Sequence, residues 1–395
     1  MARSFSFHEG RHTETVKIGC QCIKKILTLD FNLPGDDVAN SVNQFPPGSP
    51  EANHAFGEGY KCTMKCPLCF NEAALKNYVL YTKEVYNFLD QARPLGLESL
   101  KFLGPGELLE KKELWDMLEY TRKHNIILGI FTKAGVLGSD WLARKYHGID
   151  SMELLNRLLE YPNLNFYLEG RSFDPVWENR FVPIRDAEDA KHVNYYEVLC
   201  IAYERLCAAG VNADLANQRM TIQCNPVTHQ NISGVFEIYK WGIERNMPVY
   251  LPPTMVSGKG HLGEGSAMEE LFIERYIALA VQVYTWAIER GVLTLPQFLS
   301  DGPHPYIGNT PCNQLTHGMY VHADGRVWRC PGNDNPDFEI DPDIRKTPLK
   351  DIWMNSKNYR TNAFNNHCVK DGFSLPVRFY TEVKKRVEQE LRPRQ

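Results

Sequence analysis

Three cysteines stand close together in the sequence, at Cys62, Cys66 and Cys69. Their thiolates can bind three corners of an iron–sulfur cubane and leave one iron without a protein ligand, where a small molecule can bind. A structural zinc site is the alternative, but zinc takes four closed ligands and this motif contains no fourth Cys or His. The spacing therefore favours an iron–sulfur centre with one open iron.

A second group of cysteines lies in a C-terminal region that is rich in Pro, Gly, Asn and Asp. It comprises Cys312, Cys330 and Cys368, and Asp371 follows three residues after the last of them. Cysteines without a metal are usually buried in regular elements, whereas these three lie in predicted loops. The group therefore indicates a second metal centre, with three metal-free cysteines as the alternative interpretation.

The remaining cysteines carry weaker signals. Cys224 ends a predicted strand, where its side chain can face a reaction chamber, although packing is the commoner role of such a residue. Cys200 and Cys207 are seven residues apart on one predicted helix, which favours packing on a shared face. Cys20 and Cys22 have no identifiable partner. The total of 11 cysteines is odd and the polar N-terminal residues 1–14 contain no apolar signal-peptide core, so a disulfide framework is not expected.

The whole chain has the composition of an ordinary globular protein, with 395 residues, 43% hydrophobic and 23% charged. Its formal charge of -4 gives no general attraction to nucleic acid or to anionic membranes. The longest near-apolar run, residues 276–288, is too short to span a bilayer. We therefore expect a cytoplasmic protein without a nucleic-acid or membrane partner.

Helical and strand periodicity alternate from residue 62 to about residue 260. Repeated strand–helix units predict a parallel sheet with right-handed crossovers, and about six units predict an open or partial barrel. The ligand site of such a sheet lies at the C-terminal ends of its strands. The predicted strands are residues 24–31, 97–103, 126–132, 164–169, 220–224 and 248–251, and the predicted helices include residues 73–92, 111–124, 195–209, 234–246 and 267–291.

The cysteine motif followed by these units resembles the radical S-adenosylmethionine (radical SAM) superfamily. Gly104-Pro105-Gly106-Glu107 resembles the family segment that contacts the amino group of the methionine part of SAM, although Leu108 replaces the usual proline. The resemblance also implies SAM contacts for four further residues and a closing role for the loop at residues 257–261. These four are Leu68 for adenine, Tyr167 and Glu169 for the ribose and carboxylate region, and Arg171 for the carboxylate, with a surface arginine as the alternative for Arg171.

The second cysteine group resembles the twitch or SPASM extension of radical SAM enzymes. Cys312 followed by Gly325 and Cys330 matches the spacing of that extension, which holds an auxiliary iron–sulfur cluster. Its usual C-x-x-C pair is replaced by Cys368 and Asp371, so the resemblance implies one auxiliary [4Fe–4S] cluster with Asp371 or an open iron at the last position.

The resemblance implies an α/β architecture, a partial (β/α)6 TIM-like barrel followed by a small loop-rich auxiliary cluster domain. The expected division is an N-terminal arm or lid at 1–54, the barrel at 55–262, a bridging helix at 263–295, the twitch/SPASM-like domain at 296–372 and a terminal helix at 373–395.

The implied reaction is reductive cleavage of SAM to a 5'-deoxyadenosyl radical, which removes a hydrogen atom from a small molecule such as a sugar, aminocyclitol or nucleotide. The electron comes from an external flavodoxin or ferredoxin-type reductant, and dehydrogenation is the favoured outcome. Three alternatives remain open: a peptide-modifying maturase that cross-links or epimerises, an epimerase with Cys224 as hydrogen donor, and a non-catalytic iron–sulfur protein.

Overall fold

A computed structural model describes residues 28–70, 74–252, 255–262, 270–308, 318–356 and 376–392. Five residues discussed above lie outside these ranges, namely Cys20, Cys22, Cys312, Cys368 and Asp371.

The described residues form one nine-stranded sheet with the order β6-β5-β4-β3-β2-β1-β7-β8-β9. Strands β1 to β6 pair in parallel, each with its successor, as the repeated strand–helix units predict. The partial TIM-like α/β architecture is thereby confirmed. The strands are β1 Thr28–Asn32, β2 Ser99–Gly104, β3 Ile127–Thr132, β4 Leu164–Glu169, β5 Met220–Gln223, β6 Val249–Tyr250, β7 Gly318–Val321, β8 Val327–Trp328 and β9 Glu339–Asp341.

Helices connect the parallel strands and bury their apolar faces against the sheet. Side chains at helix starts accept hydrogen bonds from backbone N–H groups, as Asp150 does from Glu153 and Asn194 does from Glu197. The α-helices are Asp36–Val42, Pro50–Gly59, Thr82–Ala92, Leu114–Lys123, Gly135–Gly138, Asp140–His147, Ser151–Leu159, Pro175–Phe181, Asp189–His192, Tyr195–Ala208, Ile232–Glu244, Glu270–Glu289, Leu295–Asp301, Leu349–Asn355 and Val377–Leu391.

The segment expected to be an N-terminal arm contributes a strand to the sheet. Strand β1 pairs in parallel with β2 on one side and with β7 on the other, and all five of its residues are buried. The turn-forming residues that suggested an arm begin only after this strand, at Pro34 and Gly35. The boundary expected at residue 54 therefore does not separate an arm from the barrel.

The C-terminal region is joined to the barrel through the same strand. Strand β7 is parallel to β1, whereas β8 and β9 are antiparallel to their neighbours. Strands β7 to β9 of the C-terminal region thus extend the barrel sheet beyond β1, so the barrel and the C-terminal region share one hydrogen-bonded sheet.

The helix predicted over residues 73–92 begins only at Thr82. The preceding backbone is paired elsewhere, because Asn43 Nδ2 donates to Val79 O at 2.9 Å and Leu80 N donates to Ala323 O at 2.8 Å. These tertiary contacts replace the hydrogen bonds of the predicted first two helical turns.

The long predicted helix is present as Glu270–Glu289. In the described part of the chain, Leu271–Glu289 is long and apolar enough to cross a membrane by length and composition, and 56% of this apolar stretch is buried inside the protein. It contacts the helices Ile232–Glu244 and Val377–Leu391. Packing between other helices in the protein core is a common reason for a helix to be this apolar.

Candidate active site

The three N-terminal cysteines line one cleft. It has about 1690 Å³ of empty space, which includes its opening to solvent. Cys62, Cys66 and Cys69 lie in the crossover from β1 to β2, on the loop between the helices Pro50–Gly59 and Thr82–Ala92, and all three are thiols rather than disulfides. The loop is anchored on one flank, where Lys65 N donates to Pro183 O at 2.8 Å.

The acidic groups around these cysteines favour positively charged ligands such as iron ions. Burial raises the pKa of the Cys62 thiol well above its ordinary value, and the neighbouring Cys66 and Glu110 raise it further. Iron ions reverse this effect, because a coordinating thiol is deprotonated. Among the described residues, no three Cys, His, Asp or Glu side chains stand ready to hold a metal ion, and Cys62 Sγ donates to Met64 O at 3.0 Å. Three soft sulfur donors on one cleft-lining loop nevertheless fit a cubane with an open corner.

The segment after β2 brings its backbone close to this loop. Gly106 has φ +80°, and a Cβ at this position would lie 2.7 Å from Tyr60 O, so only glycine fits. Gly106 and Glu107 line the cleft. Lys133 N donates to Glu107 Oε2 at 2.8 Å and Leu109 N donates to Oε1 at 3.3 Å, so backbone groups fix the orientation of this carboxyl. Burial raises the pKa of Glu107.

Strand β4 ends in a buried charge network at the cleft. Glu169 Oε1 lies 2.8 Å from Lys133 Nζ, and Glu169 Oε2 accepts from Arg171 Nη1 at 2.9 Å. Glu178 also pairs with Arg171, at 2.7 Å.

Arg171 is a buried member of this network and lines the cleft. The surface alternative for Arg171 is therefore wrong. Its guanidinium donates to Glu169, Glu178, the Tyr195 hydroxyl and Asn225 O. Because these acceptors belong to the protein, Arg171 orients Glu169 rather than offering a donor to a ligand.

An aromatic wall forms another side of the cleft. The rings of Phe131 and Tyr167 stack with centroids 4.4 Å apart, and Tyr167 contacts Tyr250 at 6.2 Å. Tyr250 in turn contacts Tyr306 edge-to-face at 5.6 Å. Leu68, expected near adenine, also lines the cleft.

Cys224 does not face the cleft, contrary to the expectation that it could. Its side chain is fully buried in the hydrophobic core, while its neighbours Gln223 and Asn225 line the cleft. The alternation of side chains along an extended backbone explains this, since adjacent residues point to opposite faces. Burial raises the pKa of the thiol above its ordinary value.

Cys330 lines the same cleft as the N-terminal cysteines and is buried. A segment after β6 connects the two cysteine-bearing regions. Val256 N donates to Gly332 O at 2.8 Å, and Lys259 N donates to Cys69 O at 2.9 Å. The loop expected to close over the ligand therefore bridges the two predicted cluster sites.

Several cleft residues had not been singled out from the sequence. These are Lys133, the pair Lys101 and Asp30, and Arg185, whose Nε donates to Cys62 O at 3.1 Å. Polar residues within otherwise apolar strands were the available signal for Asp30 and Lys101, because period-two alternation places them on one face.

Comparison with known proteins gives one family match. Residues 312–376 match SPASM, an iron–sulfur cluster-binding domain. Cys312, Cys330, Cys368 and Asp371 all fall within these residues. No curated protein matches the sequence significantly.

Solved structures share the fold over most of the chain. Streptococcus suis SuiB aligns with 89% of this chain and 71% of its own, at 14% identity and a TM-score of 0.50, both alone and bound to S-adenosylmethionine. Native anSMEcpe with bound AdoMet aligns with 92% of this chain and 96% of its own, at 15% identity and a TM-score of 0.52. At these identities the likeness shows the fold.

Proposed function

We propose that this radical SAM protein with a C-terminal SPASM domain is an enzyme that cleaves SAM reductively and removes a hydrogen atom from a small-molecule substrate. The observation that carries the proposal is the single cleft lined by Cys62, Cys66, Cys69, Glu107 and Cys330. The bound SAM in SuiB and anSMEcpe, which share this fold, supports it. A non-catalytic iron–sulfur carrier has no need of such a cleft.

Cys62, Cys66 and Cys69 would hold the cluster whose open iron binds SAM, and Cys330 would hold the auxiliary cluster together with Cys312, Cys368 and Asp371. When bound to these residues, the clusters and SAM supply the electron transfer and the 5'-deoxyadenosyl radical.

The chain's own groups position SAM. Glu107, oriented by two backbone N–H groups, presents negative charge to the SAM ammonium group. The Lys133 ammonium group, which pairs with Glu169 at the end of β4, would offer a hydrogen-bond donor to the SAM carboxylate, and Glu169 would offer an acceptor to the ribose. Leu68 and the Phe131–Tyr167 stack provide the apolar surface that excludes water.

Dehydrogenation remains the favoured outcome. Epimerisation by the route considered above needs Cys224 as hydrogen donor, and that thiol is buried in the core behind the strand. After removal of the hydrogen atom, the substrate radical would lose one electron to the auxiliary cluster and release one proton, which gives a product two hydrogens lighter than the substrate. Cys330, a predicted ligand of that cluster, lines the same cleft. We further propose a cytoplasmic enzyme that is reduced by a flavodoxin or ferredoxin-type protein.

The test is anaerobic incubation of the iron-loaded full-length protein with SAM and dithionite. We expect release of 5'-deoxyadenosine and methionine in equal amounts, dependent on dithionite. Iron-loaded protein that releases no 5'-deoxyadenosine would contradict the proposal and would favour the carrier alternative.

A further inference from the structure

A buried side-chain amide near Cys330 has one polar atom without a partner. Asn333, three residues after Cys330, is 2% exposed, and its Nδ2 has no acceptor in the described part of the chain. The other amide atom is occupied, because Asn335 N donates to Asn333 Oδ1 at 2.9 Å. An amide turned by 180° would lose this hydrogen bond, so Nδ2 is the atom that still needs an acceptor. A buried donor without an acceptor is costly and rare in native proteins.

The turn after Cys330 directs an N–H group toward the thiol and engages its carbonyls with the loop after β6. Gly332 N donates to Cys330 Sγ at 3.3 Å. Val256 N donates to Gly332 O at 2.8 Å. Ser257 Oγ donates to Pro331 O, also at 2.8 Å. Turns whose N–H groups face inward bind anions and occur at iron–sulfur sites, so this turn fits the negatively charged sulfurs of a cluster.

The group predicted at Cys330 brings the kind of acceptor that Asn333 lacks. Cys330 lies within the residues that match the SPASM iron–sulfur domain. A cluster held there adds inorganic sulfide and thiolate sulfurs, which accept hydrogen bonds, to the side of the turn that carries the Gly332 N–H group. A buried water molecule is the other candidate acceptor for Asn333 Nδ2.

A donor at a cluster sulfur changes the electron affinity of the cluster. Hydrogen bonds to the sulfurs are among the features by which a protein sets the reduction potential. An N–H group favours the reduced state, which carries one more negative charge, and its effect is strong in a buried site of low dielectric. Cys330 lines the substrate cleft, so a raised potential there favours uptake of an electron from a substrate radical.

We propose that Asn333 donates a hydrogen bond from Nδ2 to a sulfur of the auxiliary cluster and thereby raises the reduction potential of that cluster. This inference rests on the proposed function, because it assigns to Asn333 the tuning of the auxiliary cluster as the electron acceptor. No further reaction step is needed: the cluster gains the one electron that the substrate radical loses.

The experiment measures the reduction potential of the auxiliary cluster in the iron-loaded full-length chain. The substitutions Cys62→Ala, Cys66→Ala and Cys69→Ala are combined as the background, so that the auxiliary cluster is the remaining source of the iron–sulfur signal. Electron paramagnetic resonance spectra of samples poised at a series of potentials give the midpoint.

Asn333→Ala in this background should lower the ratio of reduced to oxidised cluster about tenfold at a fixed potential. For a one-electron couple this equals a midpoint about 59 mV lower. The matched control is Asn335→Ala in the same turn. Asn335 Oδ1 likewise accepts from the backbone N–H two residues on, that of Asp337, at 3.1 Å, but Asn335 has no unpaired buried donor, so its midpoint should stay unchanged.

A second measurement does not depend on the stability of the Asn333→Ala variant. The background protein is labelled with ¹⁵N at its asparagine side-chain amides, and electron spin echo modulation of the reduced cluster is recorded. We expect a ¹⁵N coupling transmitted through the hydrogen bond, and its loss in Asn333→Ala.

Any of four results would overturn the inference. These are a background protein without an iron–sulfur cluster, an unchanged midpoint in Asn333→Ala, an equal decrease in Asn335→Ala, and a reduced cluster with no ¹⁵N coupling or with a coupling that Asn333→Ala retains. Failure of the proposed function is distinguishable, because it shows as wild-type enzyme that releases no 5'-deoxyadenosine from SAM.

Discussion

Single buried charges near the cleft depend on partners from different elements. Arg171 lies between Glu169 at the end of β4 and Glu178 in the helix Pro175–Phe181. Both Arg171 and Glu178 are essentially unexposed. Removing one member of such a network leaves uncompensated charge in the interior, which costs far more than loss of a surface pair.

Arg171→Met should therefore lower the free energy of unfolding by about 3–5 kcal/mol. Urea unfolding monitored by circular dichroism measures this value. The control is Arg180→Met, at an exposed position of the helix Pro175–Phe181 that carries Glu178. Its free energy of unfolding should stay within about 0.5 kcal/mol of wild type. Similar losses in both variants would mean that the network has no special energetic role.

The direction in which the Cys224 side chain points could not be predicted from the sequence. The residue type and its place at a strand end could be identified in the sequence, but the face to which Cys224 points depends on where the strand bends into the loop.

Cys224→Ala should keep the wild-type rate of 5'-deoxyadenosine formation and lose only about 1 kcal/mol of stability, as for a small cavity in the core. Loss of SAM cleavage in a folded Cys224→Ala enzyme would show that the thiol acts in the reaction.

At the scale of elements, the loop after β6 holds the SAM-site loop and the Cys330 region together. Gly258 N donates to Asp334 Oδ2 at 3.0 Å, and Ser257 Oγ donates to Pro331 O at 2.8 Å. Gly258 has φ +52°, and a Cβ there would lie 2.8 Å from Cys69 O. A side chain at this position must push against the backbone that carries a predicted cluster ligand.

Gly258→Ala should therefore reduce the iron content of the purified enzyme, because the Cys69 backbone has to move. The control is Gly148→Ala, where φ is +71° but no atom lies within 4 Å of the added Cβ. Gly148→Ala should lose stability through backbone strain and keep its iron. Iron analysis of both variants separates a clash between the added Cβ and the Cys69 backbone from the effect of backbone strain alone. Equal iron contents in the two variants would contradict the predicted clash.

The elements of the barrel could be predicted from periodicity, whereas their long-range partners could not. Strand β4 was predicted with its observed bounds because apolar residues and turn signals are local properties. The pairing of β1 with β7 joins residues about 290 positions apart, and local sequence contains no signal for it. The same holds for the orientation of Glu107, which depends on the backbone N–H of Lys133 in the next unit.

On the scale of the whole molecule, a buried carboxylate connects the C-terminal region to the segment after the cysteine loop. Asp324, in the turn between β7 and β8, accepts from Lys76 N at 2.8 Å and pairs with Arg326 and His322. Burial opposes its ionisation, but the charges and hydrogen bonds of His322 and Arg326 hold the pKa of Asp324 well below its ordinary value.

Because the pKa of Asp324 is lowered on folding, its contribution to stability is present above the unfolded pKa of about 3.9 and is lost as the pH falls toward the folded value. Asp324→Asn should therefore be less stable than wild type at pH 7, and the difference should shrink below about pH 4. Urea unfolding of both proteins across this range measures the difference. A difference that stays constant with pH would contradict the assignment.

The central claim is that Cys62, Cys66 and Cys69 hold the cluster that cleaves SAM, and a comparison of two thiol substitutions tests it most directly. Cys66→Ala removes a cleft-lining thiol, whereas Cys200→Ala removes one on the helix Tyr195–Ala208. The measurement is 5'-deoxyadenosine formed from SAM and dithionite under anaerobic conditions. We expect wild-type formation by Cys200→Ala and none by Cys66→Ala, and normal formation by Cys66→Ala would contradict the account.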